Sequence, residues 1–205
     1  MKKVALLLSV ISIAFVSCKD TKSKTETVVK ETVEIKKEQP KVKKAVNVIT
    51  WKGYKPTGNH TGTIDVKSSE FKMNDGKLTG GVFVFDMTTI KNGDIKDPSY
   101  KSDLENHLKS ADFFDVATNP TSKFEITKVI YNPENNFIIT GNLTMNGVTK
   151  SISFPAFIKD KTFKSKTIKI DRTDFGIKFK SKKFFNNLKD KFINDEFEIT
   201  FEINM

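Results

Sequence analysis

The stretch DEFEITFEINM, Asp195–Met205, carries the plainest pattern in the chain. Phe197, Ile199, Phe201 and Ile203 alternate with Glu198, Thr200, Glu202 and Asn204. A period of two, with one apolar and one polar side, describes a half-buried antiparallel strand. Runs of the same kind occur at Thr61–Val66, Gly81–Met87, Ser122–Tyr131, Phe137–Met145, Lys150–Ile158, Thr162–Ile170 and Phe175–Phe179. Turn signals divide them: NDGK (Asn74–Lys77), NPENN (Asn132–Asn136) and MNGV (Met145–Val148). Asn-Gly flanked by strand residues is a hairpin signal, because both positions tolerate positive φ. Eight or so short strands with tight turns and no run of helices point to an antiparallel sandwich or an up-and-down barrel.

Several of these strands are apolar on both faces. VFVFDM sets Phe83 and Phe85 on one side and Val82 and Val84 on the other, and Phe137, Ile138 and Ile139 repeat the arrangement. A barrel wall needs one dry face, so the second must meet a covering helix, a ligand or another subunit, and a homodimer is one such answer. The chain has 18 Phe but one Trp and three Tyr. Its aromatic content is thus nearly all unable to hydrogen-bond, which suits an apolar cavity; a Phe-rich core accounts for most of it.

One segment breaks the pattern. In SDLENHLKSADFFD, Ser102–Asp115, Leu104, His107, Leu108 and Ala111 fall on one helical face. Ser102 with Glu105 has the spacing of a capping box, and Phe113 and Phe114 follow at the exit. This predicts one short covering helix, laid over apolar strand surface or an open barrel end.

The N-terminal residues read as an address. Lys2 and Lys3 precede the apolar run VALLLSVISIAFV, and Phe15-Val16-Ser17 leads into Cys18, the single cysteine. A short apolar core behind a basic start is a secretory signal, too short for a comfortable membrane span. Phe15–Cys18 resembles a bacterial lipobox, which implies a signal peptide over residues 1–17 and acylation of Cys18. The expected product is an exported lipoprotein of the cell envelope, on the outer membrane, tethered rather than spanning. With its cysteine lipidated, such a chain has no disulfide, and its core must hold the fold. Residues 18–46 are rich in Lys, Glu and Thr and lack aromatics, which reads as a solvated tether, with an end-to-end distance of roughly 30 Å. Residues 47–205 are left as one domain of ordinary size.

The net charge of +10 does not point to nucleic acid. The domain carries +4, from 24 basic and 20 acidic residues. KFKSKK, Lys178–Lys183, is its one basic cluster, and nucleic-acid binding wants a concentrated basic face. Nor does catalysis find support. There is no G-x-S-x-G elbow and no phosphate loop, and His60 and His107 have no sequence-local partners for a metal. Both histidines read as hydrogen-bonded structural groups, or as contacts to a ligand headgroup. Asp171, Arg172 and Asp174 in DRTDFG suggest a charged corner in which Arg172 pairs locally.

Three blocks are similar to the YceI-like family, the polyisoprenoid-binding, lipocalin-like proteins of bacterial envelopes. They are HLKSADFFDVATNPTSKFEITKV (His107–Val129), GNLTMNGVTKSISFP (Gly141–Pro155) and IDRTDFGI (Ile170–Ile177), and the closing INDEFEITFEI (Ile193–Ile203) fits as well. The resemblance implies an all-β, lipocalin-like antiparallel barrel of about eight strands that binds an isoprenoid lipid, an isoprenoid quinone included, without catalytic residues or a resident cofactor. On that basis the expected lining is Phe83, Phe85, Phe124, Ile126, Phe175, Ile177, Phe197, Ile199 and Phe201. The helix would close one end, with Phe113 and Phe114 near the mouth. Two other readings stand beside it: a structural or adhesive lipoprotein whose barrel is packed solid, and an enzyme acting on an apolar substrate.

Overall fold

The computed structural model describes residues 47–132 and 136–205. The signal peptide, Cys18 and the tether lie outside the described residues, as does most of the NPENN turn. Nine strands follow in order. They are β1 (Val48–Lys55), β2 (Gly58–Asn74), β3 (Lys77–Asn92), β4 (Thr121–Tyr131), β5 (Asn136–Met145), β6 (Val148–Lys159), β7 (Thr162–Ser165), β8 (Ile168–Asp171) and β9 (Glu196–Asn204). One α-helix, α1 (Pro98–Lys109), lies between β3 and β4.

Each strand pairs antiparallel with the next through β7, β7 pairs with β9, and β9 returns to β1, closing the barrel. The expected run Thr162–Ile170 is broken at Lys166 and Thr167. Its two halves, β7 and β8, both lie along one edge of β9, opposite β1. The Ser165 hydroxyl fills the gap by accepting the Phe201 amide at 2.9 Å. The barrel therefore has eight strand positions, one of them interrupted.

The hairpins are tight for a local reason. Asp75-Gly76, Asn146-Gly147 and Asp160-Lys161 each hold two consecutive positive φ values, matching the right-handed twist of the strands they join. Two expected strands are longer than their alternation suggests. The distal part of β2 shows polar residues on both faces, and pairing with β3 carries it. β1 falls outside the alternation reading because Gly53 interrupts it after Ile49 and Trp51.

Two readings are corrected. Phe175–Phe179 is not a strand. Asp171 caps a 3-10 turn over Arg172–Phe175, and Gly176 at φ 79° turns the chain away, although Phe175 and Ile177 are both buried. The Ser102–Glu105 capping box does not form. Asp97 is the cap, accepting from the Ser99 and Tyr100 amides at 2.9 and 3.2 Å, with Pro98 at the first helical position. Asp before Pro is a stronger start than Ser within a turn already formed. Glu105 is thereby free to accept the Asn92 amide at 2.8 Å, which ties the helix to the end of β3.

The barrel interior is filled unevenly. Phe71, Phe83, Phe124, Phe137, Phe154, Phe163 and Phe201 interlock with centroid separations between 5.0 and 6.4 Å. Gly141 permits this closeness, since a Cβ there would stand 2.5 Å from the Phe124 ring. This cluster plugs one end. The other end is hollow.

Candidate functional site

The hollow half is a cavity of about 510 Å³, within the range of small-molecule sites. The boundary falls between neighbouring inward residues on β3, β4 and β9. On β3, Phe83 belongs to the plug while Phe85, Met87 and Ile90 line the cavity; on β4 the change comes between Phe124 and Ser122. On β9 it lies between Phe201 and Ile199, and β5 gives Leu143 and Met145 to the cavity. The cavity borders β1 from Ile49 to Lys55, about 20 Å of strand.

Trp51 is the largest side chain of this wall. Its indole lies against Gly62 of the neighbouring strand, where a Cβ would stand 2.5 Å from the ring. Among the described residues, its Nε1–H is buried without a hydrogen-bond partner. A buried donor left unpaired normally costs free energy, so this one sits where an acceptor on a bound molecule would be welcome.

Helix α1 forms the roof. Leu104, His107 and Leu108 face the cavity, joined by Phe113 and Phe114 from the turn that follows. His107 stands edge-on to Phe113 and Phe179, at 5.1 and 4.6 Å, and its Nε2 lies 3.4 Å from Asp112. Three of the four stripe residues read from the sequence thus cover the open end of the barrel, while Ala111 lies past the end of the helix and is exposed.

The rim is polar. Tyr54 donates to Glu198 at 2.7 Å, which raises its phenol above the ordinary value. His60 also borders the cavity, its Nδ1 2.8 Å from Asp94. Burial alone would push the Asp94 carboxyl up, but the Thr61 amide, His60 and Asn92 outweigh it and hold it below the usual carboxylate range. Lys55, Thr57, Lys180, Asp190, Lys191 and Asn194 complete the exposed edge.

Arg172 props the wall beneath this edge. It is 3 % exposed and donates to three carbonyls, those of Ile177, Ile193 and Asn194, each at 3.0 Å. A fourth contact reaches Asp195 at 3.3 Å, and its guanidinium lies 5.7 Å from the Phe113 ring centroid. Burial lowers its pKa, opposed by Asp195 and Asp171. The sequence reading expected a local pairing at the corner; the arginine makes one, to Ile177, and also joins that corner to residues 193–195 across the loop.

Of the residues expected to line a tunnel, Phe85, Phe113, Phe114, Phe197 and Ile199 border the cavity, and so do His60 and His107. Phe83, Phe124, Ile126, Phe175, Ile177 and Phe201 are buried elsewhere in the core. Strand parity separates inward from outward but is blind to depth along the axis. Sequence reasoning missed Ile49, Trp51, Ile64, Met87, Ile90, Leu143, Met145 and the rim apart from His60. The lone tryptophan and the period of two that runs on from Phe85 to Met87 were the available signals. Among the described residues, no group of three His, Cys, Asp or Glu is placed to hold a metal ion.

Comparison with known proteins agrees with this architecture. A UPF0312 protein of Azotobacter vinelandii is 45 % identical over 58 residues, 28 % of this chain and 30 % of its own length. One from Pseudomonas putida is 35 % identical over 89 residues, covering 39 % of this chain and 46 % of the relative. The aligned segments thus span less than half of these relatives. Among solved structures, Burkholderia cenocepacia BcnA superposes with a TM-score of 0.60 at 18 % identity, over 76 % of this chain and 93 % of that one. A polyisoprenoid-binding domain from Saccharophagus degradans gives 0.51 at 12 % identity, over 76 % and 90 %. A model of the YceI-like domain matches residues 18–205. With its closed antiparallel barrel and helical roof, the chain belongs to the YceI-like family.

Proposed function

We propose that this protein binds an isoprenoid-type lipid, with the hydrocarbon tail in the hollow half of the barrel and the head at the polar rim. The observation that carries the reading is the cavity itself: a largely apolar pocket of about 510 Å³ floored by phenylalanines, walled by Trp51 and aliphatic side chains, and roofed by Leu104 and Leu108. A branched hydrocarbon gains affinity from area rather than hydrogen bonds, and about 25 cal/mol per Å² makes a few hundred Å² worth several kcal/mol. The lipid-binding relative named above supports the same ligand class. The filled half of the interior is what a structural barrel would show throughout, and the hollow half sets this chain apart from that alternative.

Solvent extraction of natively purified protein, followed by mass spectrometry, is the test. One prenyl lipid per chain is expected, and none after gentle purification returns weight to a structural role. Leu104→Asp with Leu108→Asp puts two carboxylates against the apolar wall, which is costly unless they stay hydrated. That variant is expected to keep the strand signature in circular dichroism and lose most of its lipid. Unchanged lipid content would sink the roof assignment.

The same reading places the barrel on an envelope membrane, the outer one, through acylated Cys18. The motif around Cys18 supports this. Radiolabelled palmitate is expected to enter the chain and to be lost in Cys18→Ser; label retained in that variant would overturn the anchor.

A further inference from the structure

The cavity mouth is flanked by a loop with a composition of its own, KFKSKKFFNNLKDKF, residues 178–192. It holds six lysines against one aspartate, a net charge of +5, whereas the whole domain carries +4. Among the described residues Lys183 alone of the six pairs with a carboxylate, that of Asp171. At its middle stand Phe184 and Phe185, each 48 % exposed. Two adjacent phenylalanines in water are unfavourable and need a reason.

The loop is built to present them. Its base is closed by the Ile193 amide donating to the Lys180 carbonyl at 3.0 Å. Ser181 is fully buried, its carbonyl accepts the Phe184 and Phe185 amides, and its hydroxyl accepts the Lys183 amide at 3.1 Å. Lys180, Asn187 and Lys189 hold positive φ, a conformation non-glycine residues adopt at a cost. The two limbs, through Phe179, Lys180, Lys191 and Phe192, line the cavity mouth.

We propose that residues 178–192 form a membrane-docking loop for an anionic bilayer. Phe184 and Phe185 enter the zone between headgroups and acyl chains. The lysines reach lipid phosphates from beside the aromatic rings, and the Lys178 ammonium already stands over the Phe184 ring at 5.0 Å. Docked this way, the loop brings the mouth of the cavity against the leaflet, so a hydrocarbon tail passes between bilayer and barrel without crossing water. The inference rests on the lipid-binding reading. An apolar pair ringed by cations matches an anionic interface in both its parts, which a nucleic-acid backbone does not.

The compact unit Lys43–Met205 contains every described strand and core residue, so it serves as the test protein without the N-terminal segment. Flotation with phosphatidylcholine vesicles, with and without phosphatidylglycerol, reads docking. Binding is expected to the anionic vesicles and to weaken with salt. Phe184→Ser with Phe185→Ser is expected to abolish it, and Lys182→Gln with Lys189→Gln to lower the partition coefficient by about tenfold or more. These positions are exposed, so circular dichroism and extracted lipid content should stay at wild-type values while transfer of lipid to vesicles slows. Equal binding to both vesicle types, no effect of the substitutions, or binding to a single-stranded oligonucleotide instead of vesicles would overturn the loop. Vesicle docking by a protein that never retains lipid would overturn the cargo and leave the loop standing.

Discussion

Replacing Phe83 with alanine is expected to lower the unfolding free energy by about 3–5 kcal/mol, the cost of removing a buried aromatic ring from a packed interior. Phe83 has no exposed surface and touches four other rings, Phe71, Phe163, Phe124 and Phe201, at 5.0, 5.4, 6.3 and 6.4 Å. Strands β3, β4, β7 and β9 all send a ring to this cluster, so the neighbours are held by backbone ladders and cannot close the void. A melting temperature lower by about 10 °C accompanies such a loss in a domain of this size. Phe184→Ala, on the exposed loop, is the control and should move stability by less than about 0.5 kcal/mol. A Phe83→Ala penalty as small as the control's would mean that the plug does not carry the fold.

Arg172→Met is expected to be nearly as damaging, for a different reason. Methionine fits the volume but donates nothing, leaving the carbonyls of Ile177, Ile193 and Asn194 without the guanidinium and Asp195 without its partner. The Ile177 carbonyl is buried and the other acceptors are half-buried, and an unpaired buried acceptor costs about 1–3 kcal/mol, so a loss of about 2–4 kcal/mol follows. Arg172→Lys should recover little, because one ammonium cannot serve three carbonyls arrayed around a planar fork. Ile193 and Asn194 form part of the cavity wall, so lipid retention should fall together with stability. Denaturant titration and lipid extraction on the same preparations check both. If Arg172→Lys were as stable as wild type and kept its lipid, the bracing role would be lost.

Much of the fold could be read because an antiparallel strand with one dry face writes its own period. Phe197, Ile199, Phe201 and Ile203 announce β9, and Asn146-Gly147 announces the turn between β5 and β6. The same rule misled at Phe175, Ile177 and Phe179. They keep a spacing of two, yet a capped 3-10 turn and the positive φ of Gly176 place them in a corner. There the local hydrogen bonds of Asp171 to the Thr173 amide and hydroxyl outweigh any sheet preference.

The site was harder to see. A lining residue is defined by side and by height within the barrel, and alternation encodes only side. Phe83 and Phe85 are two positions apart on the same face, and one is plug while the other is cavity wall. The rim comes from Lys55 and Thr57, from Arg172 and from residues 190–194, which meet only because β9 closes on β1. None of these carries a periodic signal. The helix stripe was legible because its partner surface did not need to be known.

The phenylalanine floor has a consequence for cargo. It is a fixed stop, set by rings that the barrel cannot spare, so it works as a gauge: any chain that enters from the helical end can go in only as far as Phe85. Longer molecules must double back or leave their remainder outside, and shorter ones strand empty volume beneath them. Selection by length would then belong to side chains that carry no charge and touch mainly one another.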